Sequence, residues 1–361
     1  MEHTDTATLA EIRAAELIPF APPQIHDDVY TPEQVEALFG AVRRGPANGL
    51  LVRQLFKSAD EIVASTSGKM SEGLTLDDFL APMFHGYLAK NSAVLDPAIT
   101  SAFYNPKLMD WARDYFQAGI VVPRQLHFNY GPPQPSADPG HFDASSYRGM
   151  DSTNTPIWLL SAMTNSRLFR DYKIQLAAVV TWFWRSSAHG GFTYWPEGGH
   201  SAPQRIPAPF WNTAVLAENE SMYHRGESSG TPDLWGKVKG LTFDSVIEGD
   251  PAGPDLWRVR NGDTVIAQLA TDEIRWLFHW TAECYADYGS YRIRADHLDD
   301  LDLDRVMAIF ARDLTHRGVP FTMPSDPLND AAFKTTLLSQ YAIGSPRTYP
   351  PEAPVATRMA A

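Results

Sequence analysis

The chain has 361 residues, 44% hydrophobic and 20% charged, and its 30 basic against 43 acidic side chains leave a net charge of −13. That composition supplies a sizeable core, while acidity without a Lys/Arg run argues against nucleic acid, whose phosphates are gripped by clustered cations. Cys284 is the only cysteine, which excludes an internal disulfide and a Cys-rich zinc site.

Residues 1–27 read as a lead-in, a short helix followed by the irregular "PFAPP". From residue 28 to about 118 the pattern is helical. In "TPEQVEALFGAVRRG", Thr31 can cap, Pro32 suits the first helical position, and Val35, Leu38, Phe39 and Val42 recur at helical spacing. Near residue 119 the texture changes. "GIVVPRQLHFNYG", "IQLAAVVTWFWRSS", "GGFTYWPEGG", "NTAVLAENESMYHRG", "DTVIAQLATD" and "EIRWLFHWTAECY" are β-branched and aromatic runs divided by Gly, Pro and Asn. Within the last, Cys284 reads as a small buried hydrophobe. Residues 291–343 return to helical spacing, with Val306, Ile309 and Phe310 on one side, and the Pro- and Ala-rich 344–361 reads as a loose tail. Helices flanking a β core over 119–290 describe one α+β domain with a barrel or sandwich at its centre. No run of about 18 apolar residues and no apolar leader is visible. A cytoplasmic monomer or homodimer without membrane association is the corresponding expectation.

Four His-x-Asp pairs occur: His3/Asp5, His26/Asp28, His141/Asp143 and His297/Asp299. A strand directs residues i and i+2 to one face, whereas a helix separates them by about 200°. The first pair lies at the terminus, the second in a linker, and the last opens a helix. Only His141/Asp143 follows a strand and a Pro-rich turn. A non-haem Fe(II) centre takes two His and one carboxylate on a triangular face and leaves three positions open. The third ligand would come from a later strand, either His224 in "ENESMYHRG" or His279 in "RWLFHWTAECY".

"GHFD" after a strand and turn, then "HGGFTYWPEGGH", then "LAENESMYHRG" resemble, in that order, the iron(II)/2-oxoglutarate-dependent oxygenases, and "FNYGPPQP" resembles the "NYYPPCPQP" of their plant-type branch. The resemblance spans roughly residues 122–285. It implies a double-stranded β-helix (jelly-roll, cupin-like) core with flanking helices, and a metal face of His141, Asp143 and His224. It also implies Fe(II), O2 and the cosubstrate 2-oxoglutarate, which is decarboxylated to succinate and CO2 as a small molecule is oxidised, by default hydroxylated. Family members place a basic residue soon after the distal His to hold the far carboxylate of 2-oxoglutarate, for which a guanidinium is suited. Here the strand-borne candidate is Arg275, 51 residues after His224, which implies an insertion at about 229–270. Lys237, or Arg292 paired with a His279 ligand, are the alternatives. The branch's R-x-S serine is absent, since Trp276 and Leu277 follow Arg275, and Gly131 replaces its second Tyr; Asn129 remains a candidate cosubstrate contact.

"DASSYRGMDSTNTPIW" (143–158) follows the first two ligands and reads as a lid, with Tyr147 and Arg148 as candidate substrate contacts. Trp182, Phe183, Trp184, Trp195, Trp211, Trp276 and Trp280 either pack the barrel against helices or line an aromatic or lipophilic pocket. Two other functions stay open: an iron enzyme that does not use 2-oxoglutarate, and a metal-free β-helix binding protein.

Overall fold

A computed structural model describes residues 17–65, 75–136 and 138–353. The helical part of the lead-in, the His3/Asp5 pair and the last eight residues lie outside them. Fourteen strands are described: β1 Gln24–His26, β2 Asn48–Gly49, β3 Phe84–Lys90, β4 Ala93–Val94, β5 Ile120–Gly131, β6 Gln175–Trp184 and β7 Phe192–Trp195. They continue with β8 Gln204–Ile206, β9 Phe210–Ala217, β10 Tyr223–Gly226, β11 Val246–Gly249, β12 Leu256–Asn261, β13 Thr264–Ala270 and β14 Arg275–Tyr285.

The major sheet runs β1-β9-β6-β14-β5-β3-β4 and the minor sheet β10-β7-β8. An isolated antiparallel bridge between His141 and His224 adds the 141 segment beside β10. In chain order β5, β6, β9 and β14 of the major sheet alternate with the 141 segment, the β7–β8 hairpin and β10 of the minor sheet. This is the topology of a jelly roll, or double-stranded β-helix. Between β10 and β14 the chain leaves the barrel, and β11, β12 and β13 form a separate sheet whose edge pairs with β2.

Strand alternation sorts the aromatics. Tyr130, Phe183, Trp276, Phe278 and Trp280 point away from the barrel and are buried beneath helices. The helix Pro32–Arg44 starts with the expected Thr31 cap, reciprocated by Gln34, and with Pro32 in its first turn. Its Phe39 meets Phe183, Trp276 and Phe278 edge-on at 4.9–5.6 Å. Trp182 takes the other direction and packs inside the barrel with Phe192 and Phe210. Trp211 stays partly exposed under the Arg185 guanidinium. The helices Ile157–Ser166, Leu303–His316 and Ala331–Gln340 enclose a second core containing Trp158, Phe310 and Leu337.

Two departures from the sequence reading stand out. The stretch 28–118 is not only helical: "FHGYLAK" forms β3, which widens the major sheet beyond β5. Residues 344–353 are not loose, because they lie across the minor sheet. There the Trp195 indole donates to the Thr348 carbonyl at 3.1 Å, the Tyr223 hydroxyl to the Gly344 carbonyl, and the buried Arg225 to the Ala353 carbonyl. Among the described residues no helix is long and apolar enough to cross a membrane.

Trp276 joins sheet to helix: it is 1% exposed, stacks on Tyr130 at 4.5 Å and meets Trp257 at 4.9 Å. Trp276→Ala is expected to cost about 3–5 kcal/mol of stability, seen in urea denaturation as a lower midpoint.

Candidate metal centre

The backbone of the site is fixed by reciprocal hydrogen bonds. His141 N–H donates to the His224 carbonyl and His224 N–H to the His141 carbonyl, both at 3.0 Å, while Asp143 N–H donates to Asn219 O at 3.1 Å. Two residues on, Asp143 shares the inward face with His141. One ligand atom each of His141, Asp143 and His224 therefore lie within 4.8 Å of one another, and among the described residues no other such group of three occurs.

Each imidazole is oriented by its remote nitrogen. His141 Nδ1 lies 2.7 Å from Asp138 Oδ2, and His224 Nδ1 lies 3.0 Å from the Met222 carbonyl. With Nδ1 as the donor, both Nε2 atoms are left to ligate. They stand 3.9 and 3.5 Å from Asp143 Oδ1, against roughly 3.0 Å for adjacent ligands at about 2.1 Å around an octahedral ion. The donor set thus fits a divalent metal with open positions, after a small contraction.

The electrostatics agree. Burial would raise the Asp143 pKa, but the His224, His279 and His141 imidazoles override it and hold the carboxyl well below its ordinary range. Burial would lower the His141 pKa, yet the charge and hydrogen bond of Asp138 push it up to about 9. The segment after β9 that supplies Asn219 and Met222 is pinned by Lys173, whose ammonium is 2.6 Å from Glu218 and 2.7 Å from Ser221. Glu220, in the same segment, is buried and pushed up to about 8, chiefly by desolvation. No motif of the sequence singles out Asp138, Lys173 or Glu220. Only the placement of Asp138 three residues before His141 hinted at a role.

His279 is beside the triad and outside it. Its Nε2 faces the other carboxylate oxygen, Asp143 Oδ2, at 3.7 Å, and has no hydrogen-bond partner among the described residues. Arg275, four residues earlier on the same face of β14, is buried at 9% exposure. Its Nη2 reaches only the Gly191 carbonyl, at 3.3 Å, and its Nε has no partner among the described residues. Glu227 is the nearest source of negative charge, but it is held bidentately by Arg205 at 2.7 Å and by Thr193 at 2.8 Å. Burial lowers the Arg275 pKa to about 10. The "HGG" turn lies against this guanidinium: Gly190 has φ +95°, and a Cβ there would stand 2.8 Å from the Trp184 indole nitrogen and 3.6 Å from Arg275 Nε.

The other candidates are placed elsewhere. Lys237, in the loop before β11, pairs with Glu273 in the turn after β13, and Arg292 on the exposed helix Tyr288–Ala295 pairs with Asp296 at its end. Asn129 is on the inward face of β5, opposite Leu277, and its Oδ1 is 2.7 Å from His85 Nδ1. Tyr147 and Arg148 require a correction. Tyr147 is buried with its hydroxyl 3.0 Å from Thr164 Oγ1, and Arg148 pairs with Asp299 at 2.6 and 2.8 Å beneath Tyr172. The stretch 143–158 is packed down by these contacts and by the bonds between Tyr147 and Met150, so neither side chain is free for a ligand. His26 stacks on Trp111 at 3.8 Å and His297 pairs with Asp300 at 2.7 Å, so neither joins its Asp neighbour in a site.

Two measurements check this geometry. His224→Ala is expected to reduce Co(II) or Fe(II) affinity by at least about 100-fold, and His279→Ala by less than about tenfold, read by anaerobic metal titration. Because the metal must displace the proton from His141, apparent affinity is expected to rise with pH by up to about tenfold per unit until about 9. A pH-independent affinity between 6 and 8.5 would contradict this assignment.

No family model matches the chain, and no curated protein sequence matches it. Solved structures do match by shape. An oxidoreductase of the 2OG-Fe(II) oxygenase family from Burkholderia pseudomallei is 11% identical, covering 79% of this chain and 95% of its own, with a TM-score of 0.37. A Pseudomonas putida prolyl-4-hydroxylase is also 11% identical, with coverages of 73% and 94% and a TM-score of 0.34. The non-heme alpha ketoglutarate dependent carbocyclase SnoK from nogalamycin biosynthesis is 9% identical, with 82% and 94% covered and a TM-score of 0.37. At that degree of likeness, the functional reading rests on the residues of the site itself.

Proposed function

We propose that the chain is a non-haem iron(II) oxygenase that consumes 2-oxoglutarate and O2 to oxidise a small molecule, with hydroxylation as the default outcome. One observation carries the reading: a three-ligand centre with open positions shares its barrel with Arg275, a buried cation that has no carboxylate within ion-pair distance among the described residues. A buried charge left unpaired is costly, so the Arg275 site suits an anion arriving from solution. Arg275 and His279 lie four residues apart on one strand face, about 13 Å along the strand, and His279 adjoins Asp143. A short dicarboxylate with a chelating keto-acid end answers both requirements.

The residues then divide the work. His141, Asp143 and His224 would hold iron, Arg275 the far carboxylate, and the Gly190–Gly191 turn gives that carboxylate room beside the guanidinium. Trp182, Phe192 and Phe210 form an apolar wall on one side of the interior. Iron held there together with 2-oxoglutarate would supply the oxidising chemistry, in which 2-oxoglutarate and O2 are consumed and succinate and CO2 released as the small molecule is oxidised. Desaturation, cyclisation or rearrangement would use the same residues.

An anaerobic titration tests the proposal. A visible absorption band requiring both Fe(II) and 2-oxoglutarate is expected. In Arg275→Met the 2-oxoglutarate concentration needed for it rises by at least about 30-fold, with iron affinity little changed. Stoichiometric iron without the band would sink the cosubstrate assignment, and no stoichiometric iron would sink the metal. Screening small molecules for stimulated succinate release then identifies the substrate.

A further inference from the structure

The barrel interior is divided between two chemistries. On the side of β6 and β9 the inward residues Val180, Trp182 and Val215 form a buried apolar cluster with residues of the minor sheet. On the side of β14, β5 and β3 the inward residues are polar. Register places His279 opposite His127, and His127 opposite Tyr87; one step along, Asn129 faces His85. Directly opposed residues of antiparallel strands project to the same side, so these side chains form one surface. An interior built only for stability would be apolar here.

This surface is open. Along β5 the outward Leu126, Phe128 and Tyr130 are buried, whereas the inward Gln125, His127 and Asn129 are half-buried. The inward Tyr87 of β3 and Leu277 of β14 are likewise half-buried. The surface begins at the metal centre, where His279 Nε2 is 3.7 Å from Asp143 Oδ2. From there ring follows ring: His279 to His127 at 4.5 Å, His127 to His85 at 5.2 Å, and His85 to Tyr87 at 4.8 Å.

The His85 and His127 rings favour the neutral form, and two of the rings are under-bonded. Burial lowers the pKa values of His85 and His127 and raises that of Tyr87. Asn129 Oδ1 engages His85 Nδ1 at 2.7 Å, and Gln125 Nε2 lies 3.0 Å from His127 Nδ1. That leaves Nε2 of His85, 2% exposed, and Nε2 of His279, 7% exposed, without a hydrogen-bond partner among the described residues. Buried polar atoms of this kind call for a partner. Flat π faces beside unfilled hydrogen-bonding positions, with the Asp143 carboxylate at the metal end and the Lys90 ammonium 4.8 Å over the far Tyr87 ring, suit a ring that is polar at its edge and brings no charge to set against Asp143.

We propose that the His279–His127–Tyr87 surface is the substrate subsite, and that it takes an uncharged ring molecule bearing hydroxyl or carbonyl groups, in preference to a lipophilic or an anionic one. Naming its ligand the substrate rests on the oxygenase reading; the binding preference does not.

Three 1,3-disubstituted benzenes of similar shape test this preference: resorcinol, m-xylene and isophthalate. Binding is followed by saturation-transfer NMR on the full chain loaded with Zn(II), with 2-oxoglutarate present throughout to occupy the Arg275 end. Resorcinol is expected to bind within about 20 mM, an ordinary ligand efficiency for eight heavy atoms, and at least about tenfold tighter than the other two. His127→Phe, which keeps a ring and removes the nitrogens, is expected to weaken resorcinol by at least about fivefold and to leave m-xylene equal or tighter. Gln125→Leu, a change at the margin of the surface, gives a second variant should His127→Phe fail to fold, with a loss of at least about twofold for resorcinol. The proposal is overturned if resorcinol does not bind, if m-xylene or isophthalate binds as tightly, or if the folded variants bind resorcinol like the parent. Because Zn(II) supports no turnover, these outcomes are independent of whether Fe(II) and 2-oxoglutarate give their absorption band.

Discussion

Two hydrogen bonds between His141 and His224 organise the centre. The bridge aligns the 141 segment with β10, sets both imidazoles side by side at 4.5 Å, and through strand alternation brings Asp143 to the same face. Nothing in the bridge depends on the side chains it positions, so the metal face is a product of backbone pairing. The side chains are then trimmed by local acceptors: Asp138 for His141 and the Met222 carbonyl for His224. Without that pairing the three ligands would be separate surface groups, like the pairs at 26 and 297.

The same sheet geometry explains what a linear reading could reach. His141 and Asp143 stand out because their neighbours, a strand before and a Gly-rich strand after, fix an i, i+2 pair to one face. Arg275 could be considered because it heads a strand rich in buried aromatics, even though 51 residues separate it from His224. Those residues build a sheet outside the barrel, so sequence distance there says little about spatial distance. The helix Pro32–Arg44 was legible through its cap and apolar spacing, both local properties.

What was not legible depends on contacts made across the sheet. β3 carries His85 in a seven-residue run with no strict alternation, since its burial comes from β5 on one side and helices on the other. His127 looks like an ordinary core histidine, and only register reveals that it adjoins His279, which in turn adjoins Asp143. Tyr147 and Arg148 sit in a polar, Gly-containing stretch that has the composition of a lid. Their partners Thr164 and Asp299 come from distant positions, and those bonds hold the stretch closed against the C-terminal helices. Trp182 and Trp276 illustrate the same limit: their composition is alike, but they face opposite sides of the sheet.

The segment 344–353 gives the molecule a temporal order. Arg225, next to His224, is bonded to the carbonyl of Ala353, and Trp195 and Tyr223 on the same sheet are bonded to Thr348 and Gly344. During synthesis, β10 leaves the ribosome well before these acceptors exist, with the guanidinium of Arg225 still unburied. The outer cover of the minor sheet is assembled only after Ala353, 128 residues beyond Arg225, has been made. Maturation of the centre is thereby tied to residues made long after its ligands, and a chain cut before residue 344 would carry every ligand while lacking the strap that backs the strand holding one of them.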